Sequence, residues 1–200
     1  FDYFTMGCVC SVIRNAKPDV MLVHNSYPDT NRHAGGAFGE PIHAALDQID
    51  AWLGDVMEAM EEAGVYEDTN FVLLSDHGQR DSAKTVSLNV LLEREGLLQR
   101  APDNTLYTYL ALSQTNGMSS TVYLVDNTNE KLYARVYSCL KKLQESGEYG
   151  IERIWTKEEL DKQYGQSGPY SFIVEAEEGF RFVNDLTGDV ICDAPLKGAH

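Results

Sequence analysis

Asn70-Phe-Val-Leu-Leu-Ser-Asp-His-Gly78 is the stretch from which the fold can be read. Phe71 to Leu74 is a short, unbroken apolar run of the kind that makes a fully buried strand. It stops at Ser75, Asp76, His77 and Gly78, two metal-competent side chains followed by a residue that lets the backbone turn. In open α/β sheets ligands bind in the crevice beyond the carboxyl ends of the strands. A carboxylate and an imidazole placed there have little packing purpose, which marks Asp76 and His77 as ligands.

The same construction recurs upstream. Pro18-Asp-Val-Met-Leu-Val-His-Asn25 reads as a second buried strand, and Asp29 and His33 follow it in the loop Tyr27-Pro-Asp-Thr-Asn-Arg-His-Ala-Gly-Gly36. Between the two runs, Phe38 to Ala63 is helical in pattern. Ile42, Leu46, Ile49, Leu53, Val56, Met57 and Met60 recur at steps of three and four, as one buried face requires, and Gly64 stands where a C-cap glycine belongs. Strand, helix and strand predict a right-handed parallel crossover. That unit brings both strand ends, and so both Asp/His pairs, to one edge of the sheet.

With the chain ending in Lys197-Gly-Ala-His200, the pattern resembles the alkaline phosphatase superfamily, specifically its type I phosphodiesterase/nucleotide pyrophosphatase branch. In that family one strand is followed by Asp-x-x-x-His, a later strand by Ser-Asp-His-Gly, and a third His comes near the end in a Gly-x-His-Gly context. The resemblance runs from Asp19 to His200, and Asn116-Gly-Met-Ser-Ser-Thr-Val-Tyr-Leu124 is similar to a later family strand. It implies a three-layer α/β/α sandwich with a mainly parallel sheet, residues 1–200 being the carboxyl-terminal part of one catalytic domain. It implies that Asp29, His33 and His200 hold one divalent ion, and that Asp76 and His77 belong to its neighbour. Two such ions about 4 Å apart activate a nucleophile and steady a departing oxygen. The mixed His and Asp ligands suit zinc, with Mn²⁺ or Mg²⁺ as alternatives.

One departure from the family outweighs the matches. Its Thr or Ser nucleophile, and a further Asp for the second ion, lie before the first of these strands. Thr5 and Ser11 precede it here, but neither follows an apolar strand and opens a helix, as a nucleophile at a strand–helix turn does. No catalytic nucleophile is expected in this chain. The amino-terminal half of the same protein is expected to supply it, and the 200 residues alone are expected to be inactive.

Composition narrows the partners. The chain is 43% hydrophobic and 24% charged, that of a soluble globular domain. Its net charge of −15 argues against a nucleic-acid surface, which needs clustered Lys and Arg. An acidic protein still acts on phosphates when bound dications dominate the local field. No run approaches the ~20 apolar residues of a membrane span. Cys8, Cys10, Cys139 and Cys192 are too sparse for a disulfide-built secreted scaffold and read as reduced thiols of a cytoplasmic protein.

Elsewhere the periodicity predicts a helix ending at Ala16, a helix over Val86 to Leu98, a strand from Thr121 to Val125 and a helix from Glu130 to Glu145. It predicts a strand over Ile151 to Trp155, a helix over Lys157 to Tyr164, and an edge hairpin joining Phe172–Val174 to Phe180–Val183. Asp193 to His200 reads as loop. Gln79 and Arg80 fall where substrate would lie, and a guanidinium such as that of Arg80 can hold a phosphate by paired hydrogen bonds. Asn89 is a second candidate for substrate contact. Tyr107, Tyr109 and Tyr123 are able either to stack on a base or to fill core.

The expected function is therefore metal-dependent hydrolysis of phosphodiester or pyrophosphate bonds in a small phosphate ester or nucleotide. Phosphomonoester, phosphonate and sulfate chemistry are neighbouring alternatives, as is a metal-binding module without catalysis on the same scaffold.

Overall fold

Heptad-like apolar spacing at Met6, Val9, Cys10 and Ile13 makes one stripe of the first helix, α1 (Asp2–Ala16). In the computed structural model, which describes residues 1–194 and 197–200, that stripe packs on Trp52, Val56, Ala59, Met60 and Ala63. The described residues divide into two compact units, residues 1–79 with 197–198, and residues 80–194 with 199–200.

The first unit is helical. After α1 come α2 (Tyr27–Gly35) and α3 (Glu40–Ala63), the last entered through Pro41 in its first turn and closed by Gly64 in the left-handed conformation at φ 69°. The side chains of Tyr3, Tyr27 and Trp52, one from each helix, meet edge to face with centroids 4.8 to 6.2 Å apart. Lys17 caps α1 in a left-handed conformation, and its Nζ donates to the carbonyl of Ala63 at 2.7 Å, satisfying an orphan acceptor at the end of α3. Arg14 and Glu62 form an ion pair between the same two helices.

The buried face of α3 is rotated from the expected one. Ala45, Trp52, Ala59 and Ala63 are buried with Ile42, Val56 and Met60, while Leu46 and Met57 are exposed. Small alanines allow α1 to approach, and Trp52 then supplies the bulk.

The two expected strands are corrected by the structure. Residues 19–25 and 70–75 join no sheet among the described residues, and the crossover does not form there. Leu22 is 93% exposed and Leu74 77% exposed. Met21 does pack against the α1–α3 core, but Val20 and Leu22, one residue to either side, face away from it. An extended segment buries its apolar side chains only where a neighbouring strand or helix covers them.

The second unit carries the sheets. β1 (Arg80–Val86) leads into α4 (Leu88–Arg94), then β2 (Leu98–Arg100), β3 (Leu106–Tyr109), β4 (Ala111–Thr115) and β5 (Ser119–Leu124). α5 (Glu130–Ser146), β6 (Ile151–Thr156), α6 (Lys157–Tyr164), β7 (Phe172–Ala176), β8 (Gly179–Phe182), β9 (Ile191–Asp193) and β10 (Gly198–Ala199) follow. One sheet has the order β4-β5-β7-β6, all antiparallel. In another, β1 pairs with β8 in parallel, with β9 antiparallel, and with the strand ending at Ala199. The paired strands are thus chiefly antiparallel, where a mainly parallel sheet was expected.

Three further corrections follow. The helix expected over Val86 to Leu98 is only α4, because Val86 and Leu98 belong to β1 and β2. β7 and β8 are not a hairpin: β7 lies between β5 and β6, whereas β8 pairs with β1 in the other sheet. The expected terminal loop contains β10, and residues 195 and 196 of it lie outside the described residues. The core of this unit is built on Phe172, which is fully buried, lies tilted against Tyr133 with centroids 4.6 Å apart and stacks with Tyr137 at 5.7 Å, both from α5.

Candidate metal centre

Asp29 and His33 were expected in a loop; they lie instead in α2, and the helix explains their spacing. Residues four apart share one helix face. Asn25 Oδ1 accepts from the Tyr27 amide at 2.9 Å and Asp2 Oδ1 from the Ser26 amide at 3.2 Å, so the entry to α2 is held from both sides. Pro28 sits in the first turn, where its missing N–H costs nothing. Asp29 in the first turn and His33 in the last are also the charge placements that the helix dipole favours.

His33 Nε2 lies 3.2 Å from Asp29 Oδ1. Its Nδ1 lies 2.7 Å from the carbonyl oxygen of Gly198, and its own carbonyl accepts from the Lys197 amide at 2.9 Å. A carbonyl only accepts, so Nδ1 carries the ring proton and Nε2 is the atom turned on the carboxylate. An imidazole nitrogen and a carboxylate oxygen facing each other call for a proton or a cation shared between them. A backbone carbonyl behind the ring is the usual support of a ligating imidazole.

Asp76 and His77 repeat this construction. His77 Nδ1 lies 3.0 Å from the Gly78 carbonyl, and Nε2 lies 3.4 Å from Asp76 Oδ2. Asp76 Oδ1 accepts from the His77 amide at 3.0 Å, and Ser75 Oγ donates to the His77 carbonyl. Partial desolvation pushes the Asp76 carboxyl up. The backbone N–H groups of Asp76 and His77, with the electrostatic influence of the nearby His77 and His24 rings, outweigh it and hold the group below the usual carboxylate range. His24 is exposed beside this pair, and His43 is exposed on α3.

The two pairs are joined within the first unit by Gln79, whose Nε2 donates to Asp29 Oδ1 at 2.5 Å. The sequence flagged Gln79 only for its place beside the Ser-Asp-His-Gly run, and nothing in its spacing pointed at Asp29. The supporting carbonyl of Gly198 had no sequence signal, because a backbone acceptor is set by the fold.

The remaining candidates lie in the second unit. The carbonyl of His200 accepts from the Met118 amide at 2.8 Å, and the ring is exposed. Arg80 opens β1, more than half exposed, with Glu178 3.9 Å away. Asn89 is 2% exposed, and both ends of its amide meet Ser113: Nδ2 donates to the Ser113 carbonyl at 2.9 Å, and Oδ1 accepts from the Ser113 amide at 2.8 Å. That side chain fastens α4 to β4. Tyr123 packs at the edge of the Trp155, Leu160 and Tyr170 cluster. No helix among the described residues is long and apolar enough to cross a membrane.

Comparison with known proteins adds to this geometry. Residues 7–200 match the family described as type I phosphodiesterase / nucleotide pyrophosphatase. Venom phosphodiesterase 2 of Crotalus adamanteus is 32% identical over 65 residues, 32% of this chain and 8% of that protein. Ectonucleotide pyrophosphatase/phosphodiesterase family member 1 of Homo sapiens is 26% identical over 81 residues, 40% of this chain and 9% of that protein. Among solved structures, human ectonucleotide pyrophosphatase / phosphodiesterase 5 superposes with a TM-score of 0.65 at 15% identity, covering 97% of this chain and 50% of that one. An inactive variant of the murine protein in complex with AMP gives 0.62 at 12% identity, with the same coverage. At these identities the likeness is one of fold. The chain spans about half the length of the solved structures it matches.

Proposed function

The chain belongs to the type I phosphodiesterase/nucleotide pyrophosphatase family, a branch of the alkaline phosphatase superfamily, and from that premise we propose that it is the metal-holding part of a phosphodiester or pyrophosphate hydrolase. The observation that carries the proposal is the Asp29–His33 pair on one face of α2, with the His33 tautomer set by Gly198. In this reading Asp29, His33 and His200 hold one divalent ion. Asp76 and His77 hold part of a second site. The donor set, nitrogen-rich at the first site, favours zinc over Mn²⁺ or Mg²⁺.

When bound, the ions supply charge neutralisation to a phosphoryl group under attack. What the chain itself contributes is orientation. Nδ1–H to carbonyl bonds hold both imidazoles with Nε2 forward, and α2 holds Asp29 in fixed register with His33. The substrate is a small phosphate ester or nucleotide, a reading that the AMP complex of the murine neighbour supports.

The nucleophile is supplied by polypeptide outside these residues, in the amino-terminal half of the same protein. Exposed Val20, Leu22, Val72, Leu73 and Leu74 support this, because extended apolar segments of this size in a finished protein are covered.

The test is an assay of the full-length protein against diesters, monoesters and nucleotides, after chelation and after return of each metal. Diester or pyrophosphate turnover that vanishes on chelation and returns with zinc is expected. Full turnover after exhaustive chelation would refute the metal reading, and turnover confined to monoesters would refute the bond assignment. The isolated 200 residues should show no turnover of bis(p-nitrophenyl) phosphate.

A further inference from the structure

Gln79 donates through Nε2 to Asp29 Oδ1, the same oxygen that faces His33 Nε2 at 3.2 Å. A carboxylate has only acceptors, so an amide set against it must present its N–H₂ end. The other end, Oε1, is buried and has no hydrogen-bond partner among the described residues. An amide that satisfied its own surroundings would not leave its oxygen so placed. Its orientation is dictated by Asp29.

The position in the chain gives this bond its meaning. Gln79 is two residues beyond His77, at the end of the Ser-Asp-His-Gly segment, and Asp29 is on α2. The amide is therefore a tie between the two ligand motifs. It also fixes which oxygen of Asp29 is engaged, and so how the carboxylate is turned relative to the His33 ring. Added to the facing His33 Nε2, it narrows the range over which the Asp29 carboxylate, about two-fifths exposed, turns about its terminal torsion.

We propose that Gln79 is a positioning residue for the first metal site, acting through Asp29 by holding its carboxylate in the ligating orientation. The proposal rests on the metal reading of Asp29 and His33 given above. Loss of a partner of this kind lowers metal affinity by about 10- to 100-fold.

The test uses the full-length protein with Gln79→Met, which keeps the length and removes the donor, and Gln79→Asn, which keeps the amide and shortens its reach. Zinc affinity is read by competition with a chromophoric chelator, and ligand geometry by the visible absorption of Co²⁺ in place of zinc. Both variants should weaken one site by about 10-fold or more, leave the other unchanged, and alter the Co²⁺ spectrum. Wild-type affinity and an unchanged spectrum in either folded variant would overturn the proposal. Should Gln79→Met fail to fold, Gln79→Asn gives the same reading. Asp29→Ala with undiminished zinc would instead overturn the metal reading itself. In that event the side-chain amide resonances of Gln79 still test the bond: they should shift in Asp29→Asn, and no shift would overturn it.

Discussion

His33 and Gly198 are joined side chain to backbone, Nδ1 to carbonyl oxygen at 2.7 Å, although 165 positions separate them in sequence. The bond selects one imidazole tautomer and leaves Nε2 directed at Asp29. His33→Ala and Asp29→Ala should therefore each lower the zinc content of the full-length protein by roughly half, since each removes a ligand from one of two sites. Elemental analysis after dialysis is the measurement. Unchanged stoichiometry in both variants would count against the assignment.

Gly117 adopts φ +87°, and a Cβ there would collide with the carbonyl oxygen of His200, which the neighbouring Met118 amide already binds. Gly117→Ala should destabilise the protein by about 1 kcal/mol or more through its backbone conformation. It should also displace His200 and weaken zinc binding. Thermal unfolding and chelator competition, run together, separate the two effects. A loss of stability with no change in affinity would remove His200 from the ligand set.

Asn89→Ala should leave the metal sites intact and damage the fold. It strips both partners from the buried Ser113 backbone, and each orphaned group costs about 1–3 kcal/mol. Urea unfolding of the variant should show a lower midpoint with unaltered zinc content. A variant of normal stability but raised KM would restore Asn89 as a substrate contact.

The capping box of α6 gives a pH dependence with a defined sign. The Thr156 N–H and hydroxyl both donate to Glu159 Oε2 at 2.8 Å and hold its carboxyl below the usual range. A depressed carboxyl contributes stability above its unfolded value and loses it as pH falls through the folded value. Glu159→Gln should thus lower stability at neutral pH, and the gap from wild type should close as pH falls into that acid window. Thr156→Ala should cost about 1 kcal/mol, a typical cap loss. A gap that is constant with pH would show that the carboxylate charge plays no part.

The sequence speaks most clearly where one apolar stripe decides an element. α1, α3 and α5 are legible on those grounds, and α6, with Leu160 its one buried residue, still runs over the expected Lys157 to Tyr164. α2 is hidden because its organising face carries Asp29 and His33, with a proline and glycine at its ends that read as loop. β1 is hidden for another reason. Arg80-Asp-Ser-Ala-Lys-Thr-Val86 lacks apolar alternation, since β8 and β9 hold it through the backbone and cover only part of its surface. Residues 71–74 are the reverse case, strongly strand-like in composition without a ladder among the described residues, because pairing depends on a neighbour that composition does not specify. At the candidate site the Asp and His positions were legible from their spacing, whereas Gln79 and Gly198 depend on contacts between segments far apart in the chain.

Helical residence of Asp29 and His33 has an evolutionary cost. Inserting or deleting a single residue between them would swing one side chain about 100° around the α2 axis, since each residue advances the helix by that angle. A loop would absorb such a change; this segment cannot. Length variation along the lineage should therefore avoid positions 30 to 32, even where substitutions there are tolerated.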